Sequence, residues 1–153
     1  MKRYTYSRPS ENIIGYELSQ LAKQETNDCV VISLSSAFEI NYESAHEFAR
    51  TRFGRKNRQG TRGFIEIMDR LSISKLTINN KKFSPVTTIV PDNKPSSQLK
   101  KMTVNQFIMK NPKGTFIMVV NGHAFTIKNG VVVGNFEDSV KIKRRVLRAY
   151  KVF

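Results

Sequence analysis

The sequence predicts an α+β fold in which helices come first and antiparallel strands come last. Two observations indicate this order. Apolar residues recur at helical spacing in the N-terminal part of the chain, whereas the C-terminal part alternates β-rich runs with turn residues. Because 153 residues correspond to about one domain by size, we expect a single domain over residues 1–153.

The first two helices are predicted from periodicity and composition. Apolar residues at i, i+4 and i+8 predict an amphipathic helix from Pro9 to Leu21. The next apolar segment, Cys29 to Phe38, follows a polar loop at 24–28, and a strand competes there because Val, Ile and Ser are poor helix formers. Ala37, Phe38 and the preceding Asn and Asp favour a buried helix with Cys29 at its N-terminus.

Capping and turn residues mark the later helices. Asn41 is expected to begin a helix that ends near Gly54, and Thr61 is a candidate cap for another over residues 64–71. A short helix is expected from Thr103 to about Lys110, because the sequence Asn-Pro-Lys-Gly that follows at 111–114 is typical of a turn.

The strands are predicted from β-rich runs. Only short pieces, at 76–78 and 86–90, and a polar connector occur between residues 72 and 101. Strands are expected at 115–121, 124–128 and 131–136, and a last strand with many basic side chains at 140–153. The Asn129-Gly130 pair between two β-rich runs is a strong signal for a type I′ hairpin.

The charge of the chain predicts attraction to polyanions. Lys and Arg number 26 against 12 Asp and Glu, which gives a net charge of +14 at pH 7. Nonspecific nucleic acid and an acidic protein are the candidate partners, although no nucleic-acid-binding motif is present. Two basic runs would make the contacts, and each is also compatible with a solvated face. Their members are Arg50, Arg52, Arg55, Lys56, Arg58 and Arg62 in one run, and Lys141, Lys143, Arg144, Arg145, Arg148 and Lys151 in the other.

Several classes of protein are excluded by residue counts. No run approaches the ~18 apolar residues of a membrane span and no signal core is present, so we expect a soluble cytoplasmic protein with no membrane partner. One cysteine excludes an intramolecular disulfide. The two histidines are too far apart in sequence to give metal-ligand spacing with it, so neither a metal nor a cofactor is expected. His46 is expected on a helix surface.

Cys29 and His123 are the residues that suggest chemistry. At the start of a helix, backbone N–H groups and the helix dipole stabilise the thiolate form of a cysteine, which is the nucleophilic form. His123 stands in Asn121-Gly122-His123-Ala124, where a strand begins. Such a cysteine and histidine, with an Asn or Asp to hold the far ring nitrogen, form the set needed for a thiolate–imidazolium pair. A buried structural cysteine and an edge histidine are the alternative interpretation.

The chain resembles the papain-like cysteine peptidase superfamily. The resemblance rests on Asn27-Asp28-Cys29-Val30-Val31, then Gly122-His123-Ala124-Phe125-Thr126-Ile127, then Val133-Gly134-Asn135-Phe136, in that order. It is greatest to small phage-encoded papain-like proteins of unassigned role and covers residues 27–152. The resemblance implies a papain-like fold, a hydrolase of the thiol protease type, and a bacteriophage protein that acts in the host cytoplasm.

The resemblance also implies roles for single residues. Cys29 matches the nucleophile, His123 the general base, and Asn135 the residue that orients the imidazole. In an ideal hairpin His123 lies opposite Phe136, which puts Asn135 on the other face, so Asp138 is the alternative orienter unless a bulge at Gly134 turns Asn135 inward. The oxyanion donor is open between Gln24, one position from the family's glutamine, and Asn27.

Two functions of different class follow. The first is a cysteine-dependent hydrolase, peptidase-like or amidase-like, or an acyl transferase, that acts on a peptide or amide through Cys29, His123 and Asn135 or Asp138. The second is a non-catalytic basic papain-like scaffold that binds nucleic acid or an acidic host protein. The sequence does not identify the substrate.

Overall fold

The computed structural model describes residues 6–86 and 102–153, and these form an α+β fold with seven helices and a six-stranded sheet. The helices are α1 (Pro9–Asn12), α2 (Gln20–Gln24), α3 (Cys29–Phe38), α4 (Tyr42–Phe53), α5 (Phe64–Ile73), α6 (Val104–Lys110) and α7 (Phe136–Val140). The strands are β1 (Tyr6–Ser7), β2 (Phe83–Pro85), β3 (Thr115–Val120), β4 (His123–Lys128), β5 (Val131–Val133) and β6 (Arg148–Val152).

The sheet is mixed, with strands in the order β1-β5-β4-β3-β6-β2. Four neighbouring pairs are antiparallel, but β1 pairs with β5 in parallel. The prediction of a wholly antiparallel sheet is therefore wrong at this edge. Nearly the whole chain separates β1 from β5, and so long a connection permits a parallel pair, which no local turn signal reveals.

Three of the expected helices are confirmed. The apolar segment after Asp28 is helical from Cys29 to Phe38, as expected. Asn41 caps α4 by accepting a hydrogen bond from the N–H of Ser44 at 2.8 Å, and Gly54 ends it with a left-handed backbone, φ 66°. Thr103 caps α6 in a capping box with Gln106.

Two expectations about the helices are wrong. The segment from Pro9 to Leu21 is not one helix, because the backbone leaves the helical region at Ile13 and is left-handed at Gly15, φ 73°. Ile13 turns into the core there, whereas Ile14 and Leu18 are exposed. The helix α5 is capped by Gly63, whose backbone is left-handed with φ 66°, and not by Thr61.

The hairpin at Asn129-Gly130 is confirmed. It joins β4 to β5, and both turn residues have positive φ, 48° and 79°, as a type I′ turn requires. The strand after the turn is shorter than expected, because β5 ends at Val133 and α7 follows. The last strand is shorter too, since only residues 148–152 are extended and 141–147 form turns.

The remaining β-like pieces differ from expectation. Residues 76–78 contribute one isolated bridge, between Ile78 and Lys81, in place of a strand. The piece at 86–90 and the connector to 101 lie outside the described residues, apart from Val86.

The sheet separates two apolar clusters. Alternate residues of β3 face opposite sides: Ile117 packs with the N-terminal helices, whereas Met118 packs with α6. Helix α3 is central to the first cluster, since Val31, Leu34 and Phe38 are fully buried. This packing places the N-terminus of α3 near the beginning of β4.

Candidate catalytic site

Cys29 is the first residue of α3 and is partly buried at the helix N-terminus. The N–H groups of a first helical turn have no acceptor within the helix, so they are available to an anion at this end. The hydroxyl of Ser33, one turn later, donates to the carbonyl of Cys29 at 2.7 Å. The thiol is therefore carried on a well-anchored turn.

Buried hydroxyls connect the helix that carries Cys29 to the strand that carries His123. Thr126 of β4 donates to the carbonyl of Ser33 at 3.1 Å and accepts from the hydroxyl of Ser36 at 2.9 Å. All three residues are fully buried. Because Thr126 lies three residues after His123 in the same strand, these bonds fix how α3 lies against β4 near the site.

His123 begins β4 and has a carboxylate partner. Its Nε2 lies 2.9 Å from Oδ1 and 3.0 Å from Oδ2 of Asp138. Because Nε2 faces the carboxylate, Nδ1 is the nitrogen left for Cys29, which lines the same cleft as His123. The hydrogen bond with Asp138 first, and then the neighbouring Cys29, raise the pKa of His123 to about 9 against the opposing effect of burial. The imidazole is thus protonated at pH 7.

Asp138 is almost completely buried in α7 and is surrounded by donors. Burial alone would raise the pKa of its carboxyl, but hydrogen bonds from His123, Arg144 and the N–H of Asn135 hold the pKa below its ordinary value. The guanidinium of Arg144 donates to Oδ1 at 2.9 Å and lies over the ring of Phe125, 5.3 Å from its centroid. Asp138 is therefore an ionised acceptor in a fixed position.

Gly134 leaves room for this carboxylate. A Cβ atom at position 134 would lie 2.6 Å from Oδ2 of Asp138, closer than real Cβ contacts, and 3.1 Å from Cβ of Phe125, tighter than most of them. Any other residue would therefore move Asp138 or the backbone. The absence of a side chain at Gly134 is a requirement of the contact between Asp138 and His123.

The orienting contact expected of Asn135 is made by Asp138 instead. Asn135 is exposed at the N-cap of α7, and its backbone N–H donates to Oδ2 of Asp138 at 2.9 Å. The register of the hairpin agrees with the expected pairing, but the chain leaves the sheet after Val133. Because a helix begins at Phe136, residue 138 turns back toward His123 and residue 135 does not.

The two candidates for an oxyanion donor lie in different places. Gln24 is exposed at the end of α2 and is not among the residues that line the cleft around Cys29. Asn27 lines the cleft, and its amide donates to the carbonyl of Arg58 at 3.2 Å. The backbone N–H of Cys29 lies at the same helix end.

The cleft has a polar side and an apolar side, which meet at Cys29 and His123. The polar side has a volume of about 350 Å³ and includes Asn27, Asp28 and Asn135. The apolar side has a volume of about 290 Å³ and is lined mainly by aliphatic and aromatic side chains, with the hydroxyl oxygen of Thr61 buried there. Its apolar members are Val30, Phe64, Ile65, Val119, Val120, Ala124 and Leu147.

Several basic residues expected to contact a polyanion form ion pairs with Asp or Glu residues of the same chain. The prediction that Arg55 contacts a polyanion is wrong, because its side chain is 2% exposed and forms an ion pair with Glu25 at 2.8 Å. The other ion pairs are Arg50 with Glu47, Lys141 with Glu137, Arg144 with Asp138, and Arg148 with Asp69. Exposed members of the two runs include Arg52, Lys56, Arg58, Arg62, Lys143, Arg145 and Lys151.

His46 is not on the surface as expected. It is 7% exposed, and its Nε2 lies 2.5 Å from Oε2 of Glu25. Glu25 also accepts from Arg55 and from the N–H of Arg58, so that its pKa falls to about 2 although burial opposes the change. A position between polar neighbours on a helix does not reveal that a carboxylate from another segment covers it.

The sequence analysis did not identify which residues support the site. Gly134 and Arg144 position Asp138, and the hydroxyls of Ser33, Ser36 and Thr126 connect α3 to β4. One signal was present: serines inside an apolar helix indicate that buried hydroxyls need partners. Nothing local marks Arg144, because its contact depends on how the turns after α7 fold.

Comparisons with protein-family models, curated proteins and solved structures gave no match. Among residues 6–86 and 102–153, no group of three or more His, Cys, Asp and Glu side chains is placed to hold a metal ion. In the same part of the chain, no helix has both the length and the apolar character needed to cross a membrane.

Proposed function

We propose that the protein is a cysteine-dependent hydrolase or acyl transferase of papain-like type, with Cys29 as nucleophile, His123 as acid and base, and Asp138 as the orienting residue. The observation that carries this proposal is that Cys29, at a helix N-terminus, and His123, hydrogen-bonded to buried Asp138, line one open cleft. A buried structural cysteine needs no protonated imidazole beside it. The phage origin implied by the sequence resemblance stays a prediction.

The proposed reaction begins from a resting thiolate–imidazolium pair, in which His123 carries the proton of the Cys29 thiol. The thiolate attacks the carbonyl carbon of an amide or ester, and the negative oxygen is stabilised by the N–H of Cys29 at the start of α3. The imidazolium then donates its proton to the leaving amine or alcohol as the bond to carbon breaks. A thioester on Cys29 remains, and neutral His123 is ready to act as a base.

The second half of the reaction releases the acyl group. His123 removes a proton from water, or from an amine in a transfer reaction, as the oxygen or nitrogen attacks the thioester carbonyl. The Cys29 thiolate then leaves the carbonyl carbon and His123 keeps the proton, so the ion pair is regenerated and the product is an acid or a new amide. Asp138 keeps its charge throughout and stabilises the imidazolium that forms in each half.

Acetylation by p-nitrophenyl acetate tests this proposal directly. We expect a burst of nitrophenol, one acetyl group on Cys29 by intact-mass analysis, and slow loss of that group with continued turnover. Cys29→Ala should abolish the acetylation, and His123→Ala should slow both formation and loss by about 100-fold or more. Acetylation that proceeds equally in His123→Ala would rule out the assigned acid and base.

The non-catalytic binding scaffold is favoured by one observation, the exposure of Arg52, Lys56, Arg58 and Arg62 within one short segment that contains no acid. It predicts that substitution of Cys29 or His123 leaves every property of the protein unchanged except stability. The acetylation experiment distinguishes the two functions, because only the enzyme forms and then loses an acyl group.

A further inference from the structure

A segment rich in cations runs along the cleft. We call residues 52–62, from the end of α4 to the loop before α5, the basic segment. Arg52, Lys56, Arg58 and Arg62 are exposed in it, and no Asp or Glu occurs between Glu47 and Glu66. Gly60, within the segment, lines both the polar and the apolar side of the cleft. The basic segment therefore forms part of the entrance to Cys29.

The basic segment is anchored beside the nucleophile. Arg55 is buried against Glu25, whose other oxygen accepts from the N–H of Arg58 at 2.7 Å. The carbonyl of Arg58 accepts from the amide of Asn27, two residues before Cys29. The one buried cation of the segment is thus neutralised internally, and these bonds hold the backbone of the segment at Arg58 next to Asn27 and the site.

Few acids oppose these cations near the entrance. Asp28 lines the cleft, but its carboxylate accepts from the hydroxyl of Tyr42 at 2.7 Å and is only partly exposed. Asp138 is shared by His123 and Arg144. Glu66 is an exposed carboxylate on the apolar side of the cleft. Four exposed cations against one exposed carboxylate create a positive potential where substrate enters.

We propose that the basic segment selects acidic protein substrates, in which Asp or Glu residues lie near the amide that Cys29 attacks. This inference rests on the proposed function and names its class of substrate. A peptide fits better than a nucleic acid. The cleft beside the cations holds a nucleophile that attacks acyl groups and an apolar side that can receive a side chain. A phosphodiester has neither an acyl group nor an apolar side chain.

Two alkylating probes measure the potential at Cys29. Iodoacetamide and iodoacetate react identically, since the thiolate displaces iodide in each, but only iodoacetate is an anion. At pH 9, above the ordinary cysteine pKa of ~8.5, the ratio of the two rates does not depend on activation by His123. We expect Lys56→Gln/Arg58→Gln/Arg62→Gln to lower the iodoacetate rate relative to iodoacetamide by about three- to tenfold at low salt.

Two controls accompany this measurement. Lys110→Gln/Lys113→Gln removes two exposed cations near the N-terminal end of β3, whereas His123 pairs with Val120 at the other end of that strand. The ratio should not change in this variant, since six strand residues span about 20 Å, more than a Debye length in ordinary buffer. Glu66→Gln should raise the ratio, because it removes the carboxylate at the entrance.

Protection by polymers identifies the class of partner. We expect polyglutamate to slow alkylation of wild-type Cys29 by iodoacetamide, and to slow it less in the triple variant. An unchanged rate ratio in the triple variant would overturn the proposal. A lack of protection by polyglutamate would also overturn it, even if a DNA oligonucleotide protects Cys29. Failure of the acetylation experiment would instead overturn the proposed function, since the rate ratio at pH 9 is measurable without catalysis.

Discussion

The molecule contains two clusters of the same composition, a histidine between a carboxylate and an arginine. One consists of His123, Asp138 and Arg144, and the other of His46, Glu25 and Arg55. The second is closed, with side chains of Glu25 and Arg55 2% exposed, whereas His123 and Arg144 are 21% and 26% exposed. Only the first cluster has a cysteine beside its histidine.

The comparison shows that residue types alone do not define the site. Both carboxylates are ionised and both hold a histidine, but Glu25 joins segments of the chain and does not line the cleft around Cys29. In the cluster of His123, the imidazole has one nitrogen on Asp138 and the other toward Cys29 at a cleft. Access and a nucleophile distinguish a candidate catalytic site from a structural one.

The largest effect on stability is expected in the closed cluster. Glu25→Gln leaves Arg55 buried with no opposing charge, which should lower the free energy of unfolding by about 3 kcal/mol or more. Glu47→Gln is the matched control, because Glu47 pairs with Arg50 on the surface and both side chains are more than half exposed; its cost should stay below about 1 kcal/mol. Urea denaturation measures both. Similar losses in the two variants would mean that the closed cluster is not the main anchor of these loops.

The two clusters should respond to opposite ends of the pH scale. The pKa of Glu25 is about 2, below its ordinary 4.5, so its stabilisation is complete above pH 4.5 and is lost as the pH falls through 2. The pKa of His123 is about 9, above its ordinary 6.5, so its stabilisation is complete below pH 6.5 and is lost as the pH rises through 9.

Denaturation curves of wild type and His123→Ala from pH 6 to pH 10 check the second half of this prediction. The wild type should lose about 2 kcal/mol relative to the variant across this interval, less than the full shift implies because the imidazole is partly exposed. A constant difference between the two proteins would show that the charge of His123 does not contribute to folding.

Substitution of one glycine should damage the open cluster without touching the closed one. Gly134→Ala forces a methyl group against the carboxylate of Asp138, so we expect a loss of about 1–3 kcal/mol in stability and a tenfold or greater fall in Cys29 alkylation at pH 6. Gly60→Ala is the control, since Gly60 lines the same cleft but its added Cβ would meet nothing within 4 Å. Equal effects of the two substitutions would remove the assigned role of Gly134.

A smaller effect is expected at Arg144, which we describe as a positioning residue. Arg144→Lys keeps the charge but loses the planar contact with Phe125, and should reduce alkylation at pH 6 only a few-fold. Lys143→Gln, at the exposed neighbouring position, should leave the rate unchanged. The pH at which alkylation falls to half should move in Arg144→Gln and not in Lys143→Gln, a readout that general loss of packing would not produce.

Much of the fold followed from local signals, and the site followed in part. The helix of Cys29, the helix capped by Asn41 and the hairpin at Asn129-Gly130 are specified by residues within each element. The register of that hairpin also placed His123 and position 138 on one face. The end of β5 at Val133 determines whether Asn135 or Asp138 contacts His123. It depends on the helix that begins at Phe136, which the β-rich pattern of residues 131–136 did not predict.

Long-range contacts account for the remaining differences. His46 and Arg55 looked like surface residues because their partner, Glu25, lies far away in sequence. Arg144 looked like one cation among many, and its contact with Asp138 forms only when the turns after α7 fold back. The parallel pairing of β1 with β5 is also a long-range contact, and the sequence of neither strand indicates whether the pair is parallel or antiparallel.

The pH profile of Cys29 alkylation by iodoacetamide is the decisive test of whether Cys29 and His123 form a thiolate–imidazolium pair. With His123 protonated up to pH of about 9, a thiolate–imidazolium pair should make Cys29 react rapidly at pH 6. His123→Ala should move the reaction to the range of an ordinary thiol, near pH 8.5, with about 100-fold loss at pH 6. His46→Ala should leave the profile unchanged. A wild-type profile that already follows an ordinary thiol, and does not change in His123→Ala, would contradict the account.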